Sequence, residues 1–266
     1  MAFILGTPYS DYLPGTPFDD EIIGRGQNDT LLGFGGDDWL YGDFGNDSIV
    51  GHDGDDWMEG GPGHDVMIGG AGADVVYGDE GNDIIRSGGG PDDVYAGSGH
   101  DLVRGGNGAD WIYGEQGNDD LYGNGGHDLL VGGLGLDFMF GGNGDDTLRG
   151  QAGDDDLFGD GGDDDLFGGR GSDLLNGGVG RDYLVGGPGA DIFYMETFSG
   201  PDQIADFGDF DLIDVSEFGF NSINDIGIDV KGYDVVLSFG SLTSARLLDY
   251  LVDHNLSELN NSDFIF

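Results

Sequence analysis

From Gly6 to Tyr194 the chain divides into 21 consecutive nonapeptides without an insertion or deletion. Typical units read GGNGADWIY at Gly105–Tyr113, GGNGDDTLR at Gly141–Arg149 and GGPGADIFY at Gly186–Tyr194. So short a period constrains the architecture first, because a nine-residue unit cannot enclose a core and must stack on copies of itself. Position six is Asp in all 21 units, from Asp11 to Asp191, and position eight is always large and apolar, from Leu13 to Phe193. Position one is Gly in 19 units, with Ser87 and Ala96 the exceptions, and position four is Gly in 18, every unit from Gly36 onward.

Each column has a physical reading. Glycines at one and four permit positive φ in a tight turn, and the missing side chains let backbone carbonyls converge on a small ion. Asp at six closes the turn with a hard carboxylate oxygen, the ligand type that calcium favours. Positions seven to nine run extended with alternate side chains on opposite faces. Position eight therefore points inward, and seven and nine point outward. Successive strands alternate between two parallel sheets, so one coil takes two units and the position-eight side chains meet in a thin core. The expected fold is all-β: a parallel β-roll, a two-sheet solenoid of about 21 nonapeptide repeats in roughly 10 coils, with a small β-rich C-terminal cap.

Charge decides the kind of partner. The 53 acidic residues face eight basic ones, a formal charge of -45, and a compact chain so charged repels itself. Hydrophobic and aromatic contents of 37% and 12% argue against a disordered acidic tail. Nucleic acid is excluded as a partner because it requires basic surface; cations are what remain. The absence of cysteine rules out disulfides and thiolate metal sites. No apolar run reaches transmembrane length. Met1–Leu5 lacks a basic n-region and is too short for a secretory signal, so an export address is expected elsewhere.

These motifs resemble the RTX (hemolysin-type) calcium-binding repeat family, with its GGxGxDxUx pattern. The resemblance implies calcium ions between same-edge turns 18 residues apart. One turn supplies carbonyls of positions two and four with its Asp, and the next supplies carbonyls of one and three with its Asp. Carried over, one ion would take the carbonyls of Gly106, Gly108, Gly123 and Gly125 and the carboxylates of Asp110 and Asp128. Along the roll the resemblance implies carboxylate ligands at Asp38, Asp47, Asp56, Asp65, Asp74, Asp83, Asp92, Asp101, Asp119, Asp137, Asp146, Asp155, Asp164, Asp173, Asp182 and Asp191. It implies carbonyl ligands at Gly36, Gly45, Gly54, Gly63, Gly72, Gly81, Gly90, Gly99, Gly117, Gly126, Gly135, Gly144, Gly153, Gly162, Gly171 and Gly180.

Departures from the pattern refine this expectation. Tyr9, Phe18 and Gln27 replace Gly at position four of the first three units, so these turns are expected to cap the roll and bind weakly or not at all. Ser87 and Ala96 are expected to be tolerated, because the ligand there is a backbone carbonyl. Roughly 16 strong interturn gaps remain, and filling them would add about 32 positive charges. The repeat is therefore expected to be largely unfolded without calcium and to fold as it binds. The concentration expected is the ~0.1–1 mM of extracellular modules. Four of the five histidines lie in the repeats: His64, His100 and His127 at position five and His52 at position two. They read as exposed turn residues rather than ligands.

After Tyr194 the period stops. Asp202–Phe207 reads D-x-I-x-D-F and Asp211–Asp214 reads D-x-I-D; strand-like alternations follow at Gly227–Val230 and Tyr233–Phe239 around a Lys231–Gly232 turn, and the chain ends Asp263–Phe266. This resembles the segment that closes RTX rolls, which implies an uncleaved type I secretion signal, the type I secretion machinery as a partner and a secreted, extracellular protein. A cap is required in any case, to cover the last core layer and strand edges. The expected division is 1–14 as N-terminal cap and degenerate first repeat, 15–194 as the roll, and 195–266 as capping and secretion segment. Asp202, Asp206, Asp211 and Asp214 are candidates for one further ion.

Neither His-Glu-x-x-His nor Gly-x-Ser-x-Gly occurs, so no catalytic residue is expected and the chain does not read as an enzyme. The expected role is a calcium-folded structural, scaffolding or surface protein. One alternative is a carbohydrate-binding module, with extracellular polysaccharide or a cell surface as partner. It would use an outward stripe of Trp39, Trp57 and Trp111 at position seven and Tyr41, Tyr77, Tyr95 and Tyr113 at position nine. Another is the C-terminal secretion and folding module of a larger secreted enzyme or toxin. An ice-binding roll would need a regular outward Thr/Asn array, which positions seven and nine lack.

Overall fold

The alternation of inward and outward side chains at positions seven to nine produces strands at the expected places, and they are longer than three residues. Through most of the repeat each strand runs on through positions one to three of the next unit, as in Trp39–Phe44 and Leu102–Asn107. The computed structural model describes residues 1–231, 234–239, 243–247 and 259–266. They form two compact units, Met1–Phe138 and Met139–Phe266. Among the described residues there is no α-helix.

In the first unit, Phe3–Leu5, Glu21–Gly26, Trp39–Phe44, Trp57–Pro62, Val75–Glu80, Asp93–Ser98, Trp111–Gln116 and Leu129–Leu134 pair in that order in one parallel sheet. The intervening strands, from Tyr12–Pro14 to Asp120–Gly125, form the other parallel sheet. Partners lie 18 residues apart, as in Tyr77↔Tyr95↔Tyr113. Pairing skips position one: Arg86 pairs with Arg104 and Gly88 with Gly106, while Ser87 and Gly105 are passed over. Between the sheets the position-eight residues are stacked in single file. From Ile22 to Leu130 they are fully buried, and Leu13 at the open end is 9% exposed.

The second unit continues the same pattern and then closes it. Thr147–Ala152, Asp165–Arg170, Tyr183–Val185, Pro201–Ile204 and Ser244–Leu247 pair in parallel. Asp234–Ser238 and Gly227–Lys231 then extend that sheet antiparallel. In the other sheet, Asp156–Gly161, Leu174–Asn176, Ile192–Tyr194, Leu212–Asp214 and Phe264–Ile265 follow one another. The D-x-I motifs thus add strands to each ladder, with Ile204 and Ile213 fully buried beneath them. Phe207, Val215, Val235, Leu237, Phe239 and Phe264 bury the end of the core. Gly232 and Tyr233, part of the expected turn and strand, lie outside the described residues.

The turns are held by more than backbone. Along one edge the position-five side chains form an exposed ladder that the repeat consensus does not demand. The Asn46 side chain accepts from the His64 amide at 3.1 Å, His64 Nδ1 from Asn82 at 2.7 Å, Asn82 from His100 at 3.1 Å and His100 Nδ1 from Asn118 at 2.9 Å. His64 and His100 therefore act as substitutes for Asn. His52 stacks on Phe34 at 5.5 Å between ring centroids. His64, His100 and His127 are exposed turn residues as expected, whereas His52, also exposed, lies within the strand Ser48–Asp53.

Candidate metal centres

The conformational reason for the glycines differs from the sequence expectation. Positive φ falls at positions two and four, not at one: Gly45 has φ +146 and Gly54 +142, and position two is left-handed even where it is Arg25, Phe34, Asp43, His52 or Glu115. Position one needs Gly for a different reason, the close approach of two oxygens. A Cβ built on Gly42 would stand 2.5 Å from Oδ2 of Asp47 and 2.6 Å from the carbonyl oxygen of Gly60. On Gly24 the corresponding distances are 2.5 Å to Asp29 Oδ2 and 2.7 Å to the Gly42 carbonyl, and on Gly114 they are 2.6 Å to Asp119 Oδ2 and 2.7 Å to the Gly132 carbonyl. Position-one glycines such as these thus keep open a space into which their own turn's Asp and the next same-edge turn's carbonyl converge.

The aspartates themselves stack in two columns. Along the columns the backbone N–H of one Asp donates to Oδ1 of the Asp 18 residues on: Asp38 to Asp56 at 2.9 Å, Asp83 to Asp101 at 2.7 Å, Asp110 to Asp128 at 2.8 Å. In the second unit Asp146 donates to Asp164 at 2.8 Å and Asp173 to Asp191 at 3.0 Å. That bond uses one carboxylate oxygen. The other, Oδ2, is buried without a hydrogen-bond partner in Asp38, Asp47, Asp56, Asp65, Asp74, Asp83, Asp101, Asp110 and Asp119, and again in Asp164, Asp173 and Asp191. A buried, unpaired carboxylate oxygen is costly, and here the cost recurs in turn after turn.

The carboxyl pKa values respond accordingly. Burial pushes Asp38, Asp47, Asp74, Asp110 and Asp119 up to about 7 and Asp83 to about 8. The neighbouring column aspartates add to the rise and the backbone N–H bond opposes it. Asp164 and Asp191 reach about 7 for the same reasons. Such oxygens must acquire a proton or a hard cation. The space between them has the dimensions of the second, since calcium–oxygen distances are about 2.3–2.6 Å. Among the described residues no group of three or more His, Asp or Glu side chains could hold a metal by itself. Carbonyls must complete the ligand set, and the position-one carbonyls are placed for it.

The model of the RTX calcium-binding nonapeptide repeat matches residues 5–33, 14–49, 32–67, 59–94, 95–130, 131–166 and 158–193. The chain belongs to the RTX calcium-binding repeat family. Calcium is accordingly its metal, at multiple sites. No curated protein matches this RTX chain in sequence. Among solved structures it is similar to a hyperactive, Ca2+-dependent, β-helical antifreeze protein from an Antarctic bacterium, at 23% identity and a TM-score of 0.56 over 77% of each chain. That likeness agrees with the parallel two-sheet solenoid. It is also similar to the extracellular lipase LipA of Serratia marcescens, at 17% identity and a TM-score of 0.37 over 73% of this chain and 45% of that one.

The RTX pattern is modified at both ends. In the first turn Thr7 donates to Asp11 Oδ2 through its amide at 2.6 Å and its hydroxyl at 2.8 Å, and the Thr16 amide donates to Asp20 Oδ2 at 2.6 Å. Oδ2 is therefore already used in the two turns where Tyr9 and Phe18 replace Gly. The position-two threonines carry this effect, and a reading centred on position four passes over them. At the other end Asp202 and Asp211 continue the two columns, accepting from the Asp182 amide at 3.3 Å and the Asp191 amide at 3.0 Å across 20 residues rather than 18. Asp206 accepts from Gly186 and Gly187 at 3.0 and 2.8 Å, and Asp214 from Ser216 at 2.9 Å. The four tail aspartates, candidates for one further ion, each accept backbone hydrogen bonds of their own and form no group of side chains that could hold a metal by itself among the described residues.

Proposed function

We propose that this RTX chain is a secreted calcium-binding module whose roll is completed by the metal and which serves as a structural or scaffolding element outside the cell. The observation that carries the reading is the row of buried Oδ2 atoms without hydrogen-bond partners, which in turns such as those of Asp47, Asp74 and Asp164 face a position-one glycine and a carbonyl of the next turn. The ligands proposed are the column aspartates and the turn carbonyls inferred from the repeat. Without the ion, folding must either protonate or strand these carboxylates; with it, the same atoms become the joints between coils. Millimolar calcium, characteristic of the outside of cells, suits sites of this kind. Export through the C-terminal segment is part of the proposal, supported by the D-x-I-x-D-F and D-x-I-D motifs.

The Trp57–Tyr113 part of the aromatic stripe supports a structural role more than a sugar-binding one. Tyr77, Tyr95 and Tyr113 stack at 4.9 and 5.1 Å with interplanar angles of 6° and 5°, and Trp57 leans on Tyr77 at 5.0 Å. Their faces are turned to one another, whereas a sugar ring needs a free aromatic face.

The test is far-UV circular dichroism of chelated protein titrated with calcium, with magnesium as control. A cooperative coil-to-β transition near millimolar calcium is expected. Magnesium, which demands octahedral geometry at about 2.0–2.1 Å, should not reproduce it. A β spectrum that persists in excess chelator would overturn the reading.

A further inference from the structure

Two of the interturn spaces differ from the rest, side by side at one level of the first unit. Ser87 and Ala96 stand at position one, where every other unit has Gly, and both are fully buried. Their main-chain carbonyls are unaffected. The carbonyl of Ser87 lies 2.5 Å from the Cβ position of Gly69, as a position-one carbonyl does elsewhere. The difference lies in the gap on the other side. In intact turns such as those of Gly42, Gly69, Gly150 and Gly159 the Cβ position of the first residue lies 2.3–2.6 Å from both the Asp Oδ2 and the following carbonyl, so an ion joined to both oxygens and a Cβ compete for one volume. In turn Ser87–Asp92 a side chain occupies it, and the Ser87 hydroxyl donates to the carbonyl of Gly105 at 2.9 Å. That carbonyl is the oxygen which, in the other turns, faces the open space. In turn Ala96–Asp101 the fully buried Ala96 carries a methyl at the corresponding position.

Resting on the calcium reading above, we propose that the gaps between turns 87–92 and 105–110 and between turns 96–101 and 114–119 hold no calcium at concentrations that fill the other gaps. Ser87 bridges its gap with a hydroxyl and Ala96 plugs its gap with a methyl. The two calcium columns are thereby interrupted at the same height, one on each edge. The spaces before and after, at Gly69, Gly78, Gly105 and Gly114, keep their glycines.

The test is a crystal structure of the calcium-loaded full chain with anomalous scattering at calcium, beside the variant Ser87→Gly/Ala96→Gly. Wild-type protein is expected to show peaks between intact turns and none at these two gaps, and the variant to show both. In solution, native mass spectrometry should count two more ions on the variant. Gly51→Ala, which builds the same methyl between Asp56 and the Gly69 carbonyl, should hold one fewer. Full-height peaks at the two gaps in wild-type protein, or an unchanged ion count in the double variant, would overturn the proposal while leaving the calcium reading intact. Absence of peaks at every gap would remove that reading as well.

Discussion

At the scale of the residue, one carboxylate does two unlike things with its two oxygens. Oδ1 of Asp83 accepts the Asp65 amide at 2.7 Å, and Oδ2 is buried with no hydrogen-bond partner. Asp83→Asn keeps the first oxygen and replaces the second by an amide without charge. We expect it to strengthen the β signal in chelator and to raise the calcium midpoint on the order of three- to tenfold, read in the same titration. Loss of β structure in chelator would contradict the account. The pH dependence follows from the raised carboxyls. With pKa values near 7 in the fold and about 4 in the unfolded chain, the metal-free roll binds more protons folded than unfolded. This contribution to its stability is fully present below about pH 4 and is lost as pH rises through about 7. In chelator, β structure is expected to increase from pH 7.5 to 5, above the sequence pI of 4.1. Calcium binding near neutral pH should release protons, measurable by calorimetry in buffers of different ionisation enthalpy.

At the scale of the element, the strand and turn divide the labour between cohesion and closure. The position-eight residues form the buried apolar file between the sheets, so Leu121→Ala, at a fully buried site, should cost about 2–5 kcal/mol. Tyr95 stacks on both neighbours, and Tyr95→Ala should cost about 1–3 kcal/mol without altering the calcium count. Thermal melts of the loaded protein check both. The strands, their alternation and the inward file were legible because period and polarity coincide in 21 units. The Asp columns were legible for the same reason. The distribution of backbone strain was not. Position two is Gly in ten of the 21 units but Arg25, Phe34 or Glu115 in others, types that do not announce a left-handed residue, and the turn imposes it. Nor was the role of Thr7 and Thr16, because a threonine that caps a carboxylate looks like any polar turn residue. The tail strands that continue the ladders were hidden by spacing, since Asp202 and Asp211 are 20 residues from their partners, not 18.

At the scale of the whole chain, a net charge of -45 and the buried Oδ2 atoms are separate obstacles to folding, and salt distinguishes them. Raising ionic strength from 0.01 to 1 M shortens the Debye length from about 30 to about 3 Å, which relieves repulsion among exposed carboxylates and leaves buried ones unpaired. In chelator, 1 M sodium chloride is therefore expected to contract the chain by small-angle scattering without restoring the β spectrum that millimolar calcium gives. Recovery of the full spectrum by salt would make overall repulsion the governing term. The change of spacing at Asp182 and Asp191, from 18 residues to 20, has a consequence for finding the native alignment. A sequence with one period is translationally degenerate: sliding a strand by a whole coil restores nearly every pairing, so neither the core file nor the Asp column identifies the correct frame. The final coil breaks that symmetry. Its carboxylates reach their partners only through a longer loop that no interior repeat can imitate. The tail therefore fixes the phase of the ladder, as a dislocation that occurs once fixes position in an otherwise uniform lattice.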